Sequence, residues 1–285
     1  MDTLLIPCWG RPEFLHHTLD NLVKTGDLHT VHVIFKMDHA YHVDIPKVIE
    51  SWSEHLTSFT LSPTPRTGYT VTKQSHNLLT GYAQAASLST GLVFMVEEDI
   101  MVSRDFFRYH RAVHAKEKVF VSLSTKNHNR KLSVTDDPEA YYLSHGDYCS
   151  LGACFRKEVI EQLILPHANK GYYKNPRKYC ETTFPNSTLH LSMVEQDGLI
   201  RRIQASQHLP TVYPHVPRAF HAGIYGYNRR KYVTGTTRQK MDRLAAIIYD
   251  PEMMRLNSLN PAYYADSEPV NLDIPQWTHL KHVPA

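Results

Sequence analysis

The stretch "GLVFMVEEDIMVSRDFF", residues 91–107, runs a short apolar segment directly into three carboxylates, Glu97, Glu98 and Asp99. The composition of "LVFMV" (92–96) predicts a strand buried on both faces, as in a parallel sheet covered by helices. Acids next to such a strand are costly unless something cationic compensates them. In an open parallel sheet, ligands bind beyond the carboxyl ends of the strands, which is where these acids fall. If the strand runs on, Glu97 and Asp99 share one face and Glu98 takes the other. Hard oxygen donors of this kind suit Mg²⁺ or Mn²⁺. The competing reading is a solvated acidic turn before a helix that Ser103 caps.

On either side, apolar runs alternate with amphipathic ones. Strands are expected at 3–8, 31–37, 59–62 and 119–124, and helices from Pro12 to about Lys24 and over 46–56, 70–88 and 103–115. That alternation predicts an α/β fold with a mostly parallel sheet flanked by helices. The second half is less regular. Residues 125–149 read as a polar loop, 150–155 as a strand and 157–164 as a helix. The Pro-, Asn-, Lys- and Tyr-rich run 166–187 reads as a long loop. Helices are expected at 188–206 and about 238–249, ahead of a Pro-rich tail. One compact unit over 1–235 follows, with a nucleotide-binding half (1–124) and an acceptor and catalytic half (125–235); 236–285 would pack on it.

Composition narrows the function classes. The 285 residues carry a net charge of +3, too small by itself to imply a nucleic-acid partner. The 19 histidines lack a zinc-finger or H-E-x-x-H spacing. Cys8, Cys149, Cys154 and Cys180 are scattered and suggest reduced thiols. No apolar run approaches the length of a membrane helix, and the N-terminus lacks a signal pattern, so a soluble cytoplasmic protein with no membrane partner is expected. Neither a P-loop nor a G-x-G-x-x-G fingerprint is present.

Strand, carboxylate triplet, spacer and Asp-Phe-Phe together resemble the metal-binding segment of GT-A (Rossmann-like, nucleotide-sugar-binding) glycosyltransferases. The closest resemblance is to the family of N-acetylglucosaminyltransferase I and protein O-mannose N-acetylglucosaminyltransferase, whose segment runs V-V-E-D-D-L-x-x-x-x-D-F-F. It extends in order over roughly residues 3–230. It implies Asp99 as the direct metal ligand, with Glu97 and Glu98 in the preceding places. It also implies a basic residue at the nucleotide, Arg11 of "IPCWGR"; a uracil-reading acid, Asp38; and a helix histidine near the nucleotide, His76. "SLGACF" matches the family's sugar-site turn through Gly152, with Ala153 in place of its Trp. The family's W-D-D-W segment matches "VEQDG", which implies Asp197 as catalytic base and Gln196 in place of the first Asp. "PHVPRAFHAG" puts Arg218 at the family's Arg, with His221 close by. A metal-dependent, inverting transfer from a UDP-sugar to a hydroxyl is implied, with Mn²⁺ or Mg²⁺ as cofactor.

From the residues alone, Asp197 has a rival role as an i,i+4 surface partner of Arg201. Gly198 is a poor helix-interior residue and suggests a backbone reason for its presence. Two stretches, 169–179 and 224–232, interleave bases with tyrosines. That mixture suits a nucleic-acid acceptor, such as a hydroxymethylated base in viral or phage DNA, or a solvated loop whose tyrosines pack inward. Transfer to a glycan or small molecule, and a catalytically silent UDP-binding protein, are the alternatives.

Overall fold

The computed structural model describes residues 1–125, 140–144, 148–215 and 217–221. Strand β1 (Asp2–Cys8) is buried on both faces and pairs in parallel with β2 (Val31–Met37) on one side and β4 (Leu92–Met95) on the other. β2 in turn pairs in parallel with β3 (Phe59–Pro63), the edge strand. Helices α1 (Pro12–Val23), α2 (Ile45–Ser51) and α3 (Lys73–Leu88) make the crossovers. Pro12 and Pro46 sit in the first turns of α1 and α2, where a missing N–H costs nothing. Thr72 caps α3 by accepting from Ser75 N.

Beyond β4 the sheet changes direction. β8 (Ala153–Arg156) inserts antiparallel between β4 and β6 (Val121–Leu123). β9 (Thr211–Pro214) then pairs in parallel with β6, and β7 (Tyr141–Ser144) closes that edge antiparallel. The order is β3-β2-β1-β4-β8-β6-β9-β7. A second, two-stranded sheet joins β5 (Ile100–Val102) to β10 (Ala219–His221) antiparallel, with Ile100 opposite His221. Helix α4 (Phe106–Lys116) follows β5. One apolar cluster, with Leu5, Leu79 and Phe155, lies under α3; another, with Leu4, Leu15 and Phe94, lies under α1.

Several expectations need correcting. The 125–149 region contains the strand β7. Ser103 does not cap α4: Asp105 precedes the helix, and the Ser103 hydroxyl donates to its Oδ1 at 2.5 Å. Run 166–187 is largely helical. The short turns Lys157–Val159 (α5) to His167 lead into α6 (Lys170–Lys174) and α7 (Pro176–Thr183). Its presumed breakers are caps. Asn169 accepts from Gly171 N and Tyr172 N, Asn175 accepts from Lys178 N, and Pro176 occupies a first helical position. The expected 188–206 helix begins only at Gln196, as α8 (Gln196–Gln207), and ends with His208 in the left-handed region. Residues 224–232 and 238–249 and the tail lie outside the described residues.

Candidate active site at the strand ends

The carboxyl ends of β1, β2 and β4 converge, and Asp38 N donates to Cys8 O where β1 and β2 end together. After β4 the chain turns, with Ile100 N donating to Glu97 O. That turn breaks the strand alternation expected for the triplet: Glu98 and Asp99 both reach Arg11. Glu98 accepts from Arg11 Nε at 2.8 Å and from Trp9 N at 2.8 Å. Asp99 Oδ2 accepts from Arg11 Nη1 at 2.5 Å and lies 2.9 Å from His221 Nε2. Arg11 is thus the compensating cation the triplet requires. Burial pushes the Asp99 carboxyl up, but Arg11 and His221 outweigh it, and its pKa falls below the ordinary value.

Glu97 turns the other way. Burial first, then the charges of Asp99 and Asp197, raise it to about 7, against the pull of Arg11 and Ser150. Asp197, in the first turn of α8, is pushed up to about 6, chiefly by burial, while Arg201 and Ser150 pull it down. Arg201 donates Nε to Tyr148 O at 2.8 Å, and no ion pair joins it to Asp197 among the described residues.

Local packing aims Asp197. A Cβ on Gly198 would stand 2.0 Å from Met193 O, so only glycine lets the helix start there. The fully buried Arg202 ties the preceding turn to the helix, donating to Leu189 O, His190 O, Met193 O and Gly198 O. Gln196, which replaces the family's acid, is buried and hydrogen-bonded with Ser75. Thr72 and Ser75 donate to Glu195 Oε2, fastening the start of α8 to that of α3.

The remaining expected residues divide. Asp38 is buried at the end of β2, and its Oδ1 accepts from His39 N at 2.7 Å. His76 lies in the first turn of α3 and packs against the rings of Tyr69 and Tyr173, which stack on each other. Burial first and then Lys36 depress its pKa, against the pull of Asp38. Gly152 has φ +69°, and a Cβ there would lie 2.9 Å from Ser124 Cβ and 3.1 Å from Ala219 Cβ. Its glycine is demanded by backbone conformation and close packing.

Arg218 lies inside the fold. Its side chain is wholly buried, donating Nε to Asp105 Oδ2 at 2.9 Å and lying 4.3 Å over the Tyr109 ring. Arg11 is the arginine that pairs with the acids of the carboxylate turn. His221 is the member whose contact with the acids the sequence did not reveal. Its only signal was proximity to Arg218, and the β5–β10 pairing carries it to Asp99.

Two buried oxygens, Asp99 Oδ1 and Asp197 Oδ1, have no hydrogen-bond partner among the described residues. An orphaned acceptor beside an imidazole suits a divalent cation at Asp99. No group of three or more metal-ligating side chains is assembled among the described residues. A donor set this sparse fits Mg²⁺ or Mn²⁺, which take one or two carboxylates and complete their shells with water and substrate phosphates.

Solved structures share this architecture. S. aureus TarS (residues 1–349, in complex with UDP-GlcNAc) superposes with a TM-score of 0.53 at 12% identity, over 91% of this chain and 70% of that one. The fold is GT-A. The same TarS fragment in complex with UDP matches with a TM-score of 0.50 at 12% identity, over 94% of this chain and 73% of TarS. A mannosyltransferase from Pyrobaculum calidifontis, in complex with GDP-Man and Mn²⁺, matches at 0.44 and 16% identity over 92% of this chain and 72% of its own. No protein-family model matches the sequence, and no curated protein is similar to it in sequence. No described helix is long and apolar enough to cross a membrane, and all four cysteines are free thiols.

Proposed function

We propose that the chain is a metal-dependent, inverting glycosyltransferase that moves a sugar from a UDP-sugar to a hydroxyl acceptor. One observation carries this reading: two carboxylates, Asp99 and Asp197, each with a buried unpartnered oxygen, have opposite pKa shifts. Asp99 is held ionised by Arg11 and His221, as a metal-diphosphate clamp needs. Asp197 is raised to about 6, near the operating pH that suits a general base. The GT-A fold supports the donor class, and the collinear motifs favour the N-acetylglucosaminyltransferase I type.

Asp99 and His221 would hold Mn²⁺ or Mg²⁺, which when bound neutralises charge on the departing diphosphate. Arg11 adds a fixed positive charge at the same turn. Asp38 and His76 border the nucleotide end, and Glu97 and Glu98 shape the turn around the donor. Asp197 takes the proton of the acceptor hydroxyl. The acceptor oxygen bonds to the anomeric carbon as the bond from that carbon to the diphosphate oxygen breaks, and the electron pair leaves with UDP. A single displacement of this kind inverts the anomeric centre.

The test is UDP release from a panel of UDP-sugars with Mn²⁺, comparing wild type with Asp99→Ala and Asp197→Asn. Metal-dependent turnover lost in both variants is the expected result. UDP binding without turnover would instead make the chain a silent nucleotide-binding protein, and release of pyrophosphate would make it a nucleotidyltransferase.

A further inference from the structure

The folded chain separates the tyrosines of 169–179 from its bases. Tyr172 is fully buried and donates its hydroxyl to Val194 O at 2.8 Å. Tyr173 is buried and stacks on Tyr69, and Tyr179 meets His167 and Asn169. Lys170, Lys174, Arg177 and Lys178 remain exposed on α6 and α7. The segment before α3 adds exposed Arg66 and Lys73, and it is stitched to α6: Thr70 N and Val71 N both donate to Tyr173 O at 3.1 Å. These six cations have no carboxylate partner among the described residues. Neither 56–96 nor 166–180 contains an Asp or Glu; Glu97 and Glu181 are the first acids after them. Set against Glu181 on α7 and Glu195 beside Thr72, the six cations still leave this lip at +4, above the net charge of +3 of the whole chain.

The lip borders the candidate base. Thr72, two residues after Thr70, donates to Glu195, and Asp197 follows two residues later. We propose that this lip docks the phosphate backbone of a nucleic acid and delivers a hydroxyl on that polymer to Asp197. The second half of the proposal rests on the glycosyltransferase reading. None of the exposed large apolar side chains (Met1, Trp9, Phe59, Leu61, Leu88, Leu143, Met193) belongs to the segments that form the lip. A protein partner would want an apolar or aromatic anchor, and a membrane surface would want an apolar face to insert. A polar, strongly cationic surface matches the character of nucleic-acid interfaces. With its tyrosines packed inward, the lip reads charge rather than bases, so docking is independent of sequence.

The experiment measures binding of a short labelled DNA duplex over a salt series, for wild type and for the triple variant Lys170→Gln/Lys174→Gln/Arg177→Gln. All three side chains are exposed and outside the catalytic constellation. The expected result is binding that falls steeply with salt and is indifferent to duplex sequence. The variant should lower the slope of log affinity against log salt by about 1 per cation removed. UDP binding with Mn²⁺ should be unchanged. No duplex binding at low salt, or an unaltered slope in the variant, overturns the proposal. Equal binding of polyglutamate or phosphatidylserine vesicles also overturns it, in favour of an acidic protein or a membrane. Duplex binding with the expected slope in a protein that neither binds UDP nor turns over a UDP-sugar sinks the transferase reading alone and leaves the docking surface standing.

Discussion

Gly198 lies so close to Met193 that a single added carbon would stand 2.0 Å from the Met193 carbonyl oxygen. The contact lets α8 begin where it does, and so sets where Asp197 points. Gly198→Ala is expected to push the helix start away from Met193 and displace the carboxylate. Misplacement by about 1 Å can cost on the order of 100-fold in rate. Turnover should fall by about that factor with little change in UDP affinity, as read from steady-state kinetics and UDP titration.

Asp197→Asn separates activity from stability. Loss of a general base typically costs about 10²–10⁴-fold in turnover. In the wild type, turnover should rise with pH through about 6 as Asp197 ionises. The stability effect has the opposite sign. Because the folded-state pKa lies above the ordinary value, ionising Asp197 disfavours the fold, so its contribution weakens as pH rises from about 4 through about 6. The neutral amide escapes that penalty. Thermal melts should show the variant more stable at pH 8, by on the order of 2 kcal/mol, with the gain vanishing near pH 4.

His221→Ala and Asp99→Ala test the metal end. Asp99→Ala should abolish Mn²⁺-dependent UDP binding, since it removes the ionised carboxylate at the turn. His221→Ala leaves Asp99 paired with Arg11 and should weaken Mn²⁺ without eliminating it. Calorimetric titration of Mn²⁺ in the presence of UDP gives the comparison. Equal affinities across wild type and both variants would remove this pair from the metal site.

Arg218→Met should act on the fold and not on the donor. Removing one member of a buried ion pair leaves Asp105 unpaired in the interior, at a cost of about 3–5 kcal/mol. A large fall in melting temperature is expected, while UDP affinity measured well below that temperature stays unchanged. A weakened UDP affinity in a fully folded variant would place Arg218 at the donor site.

What the sequence determined by itself was local and periodic. Apolar runs such as "LLIPC" and "LVFMV" have the length and composition of strands covered on both faces, and their alternation with helical stretches leaves few topologies open. The acids after β4 and the end of β2 were legible because ligands gather at strand ends, and Gly198 because a helix rarely spends an interior position on glycine. Capping was legible only in part. Asn169, Asn175 and Pro176 have the same chemistry whether they break a loop or start a helix, and burial of Tyr172 and Cys180 decided for helix. Tertiary structure alone decided the partners of charge. Arg218 and Arg11 look alike in sequence, yet one folds against Asp105 and Tyr109 and the other reaches the carboxylate turn. His221 meets Asp99 only because β10 pairs with β5 across more than a hundred residues. Burial, which raises Asp197 and Glu97, is a property of the packed interior that no spacing along the chain encodes.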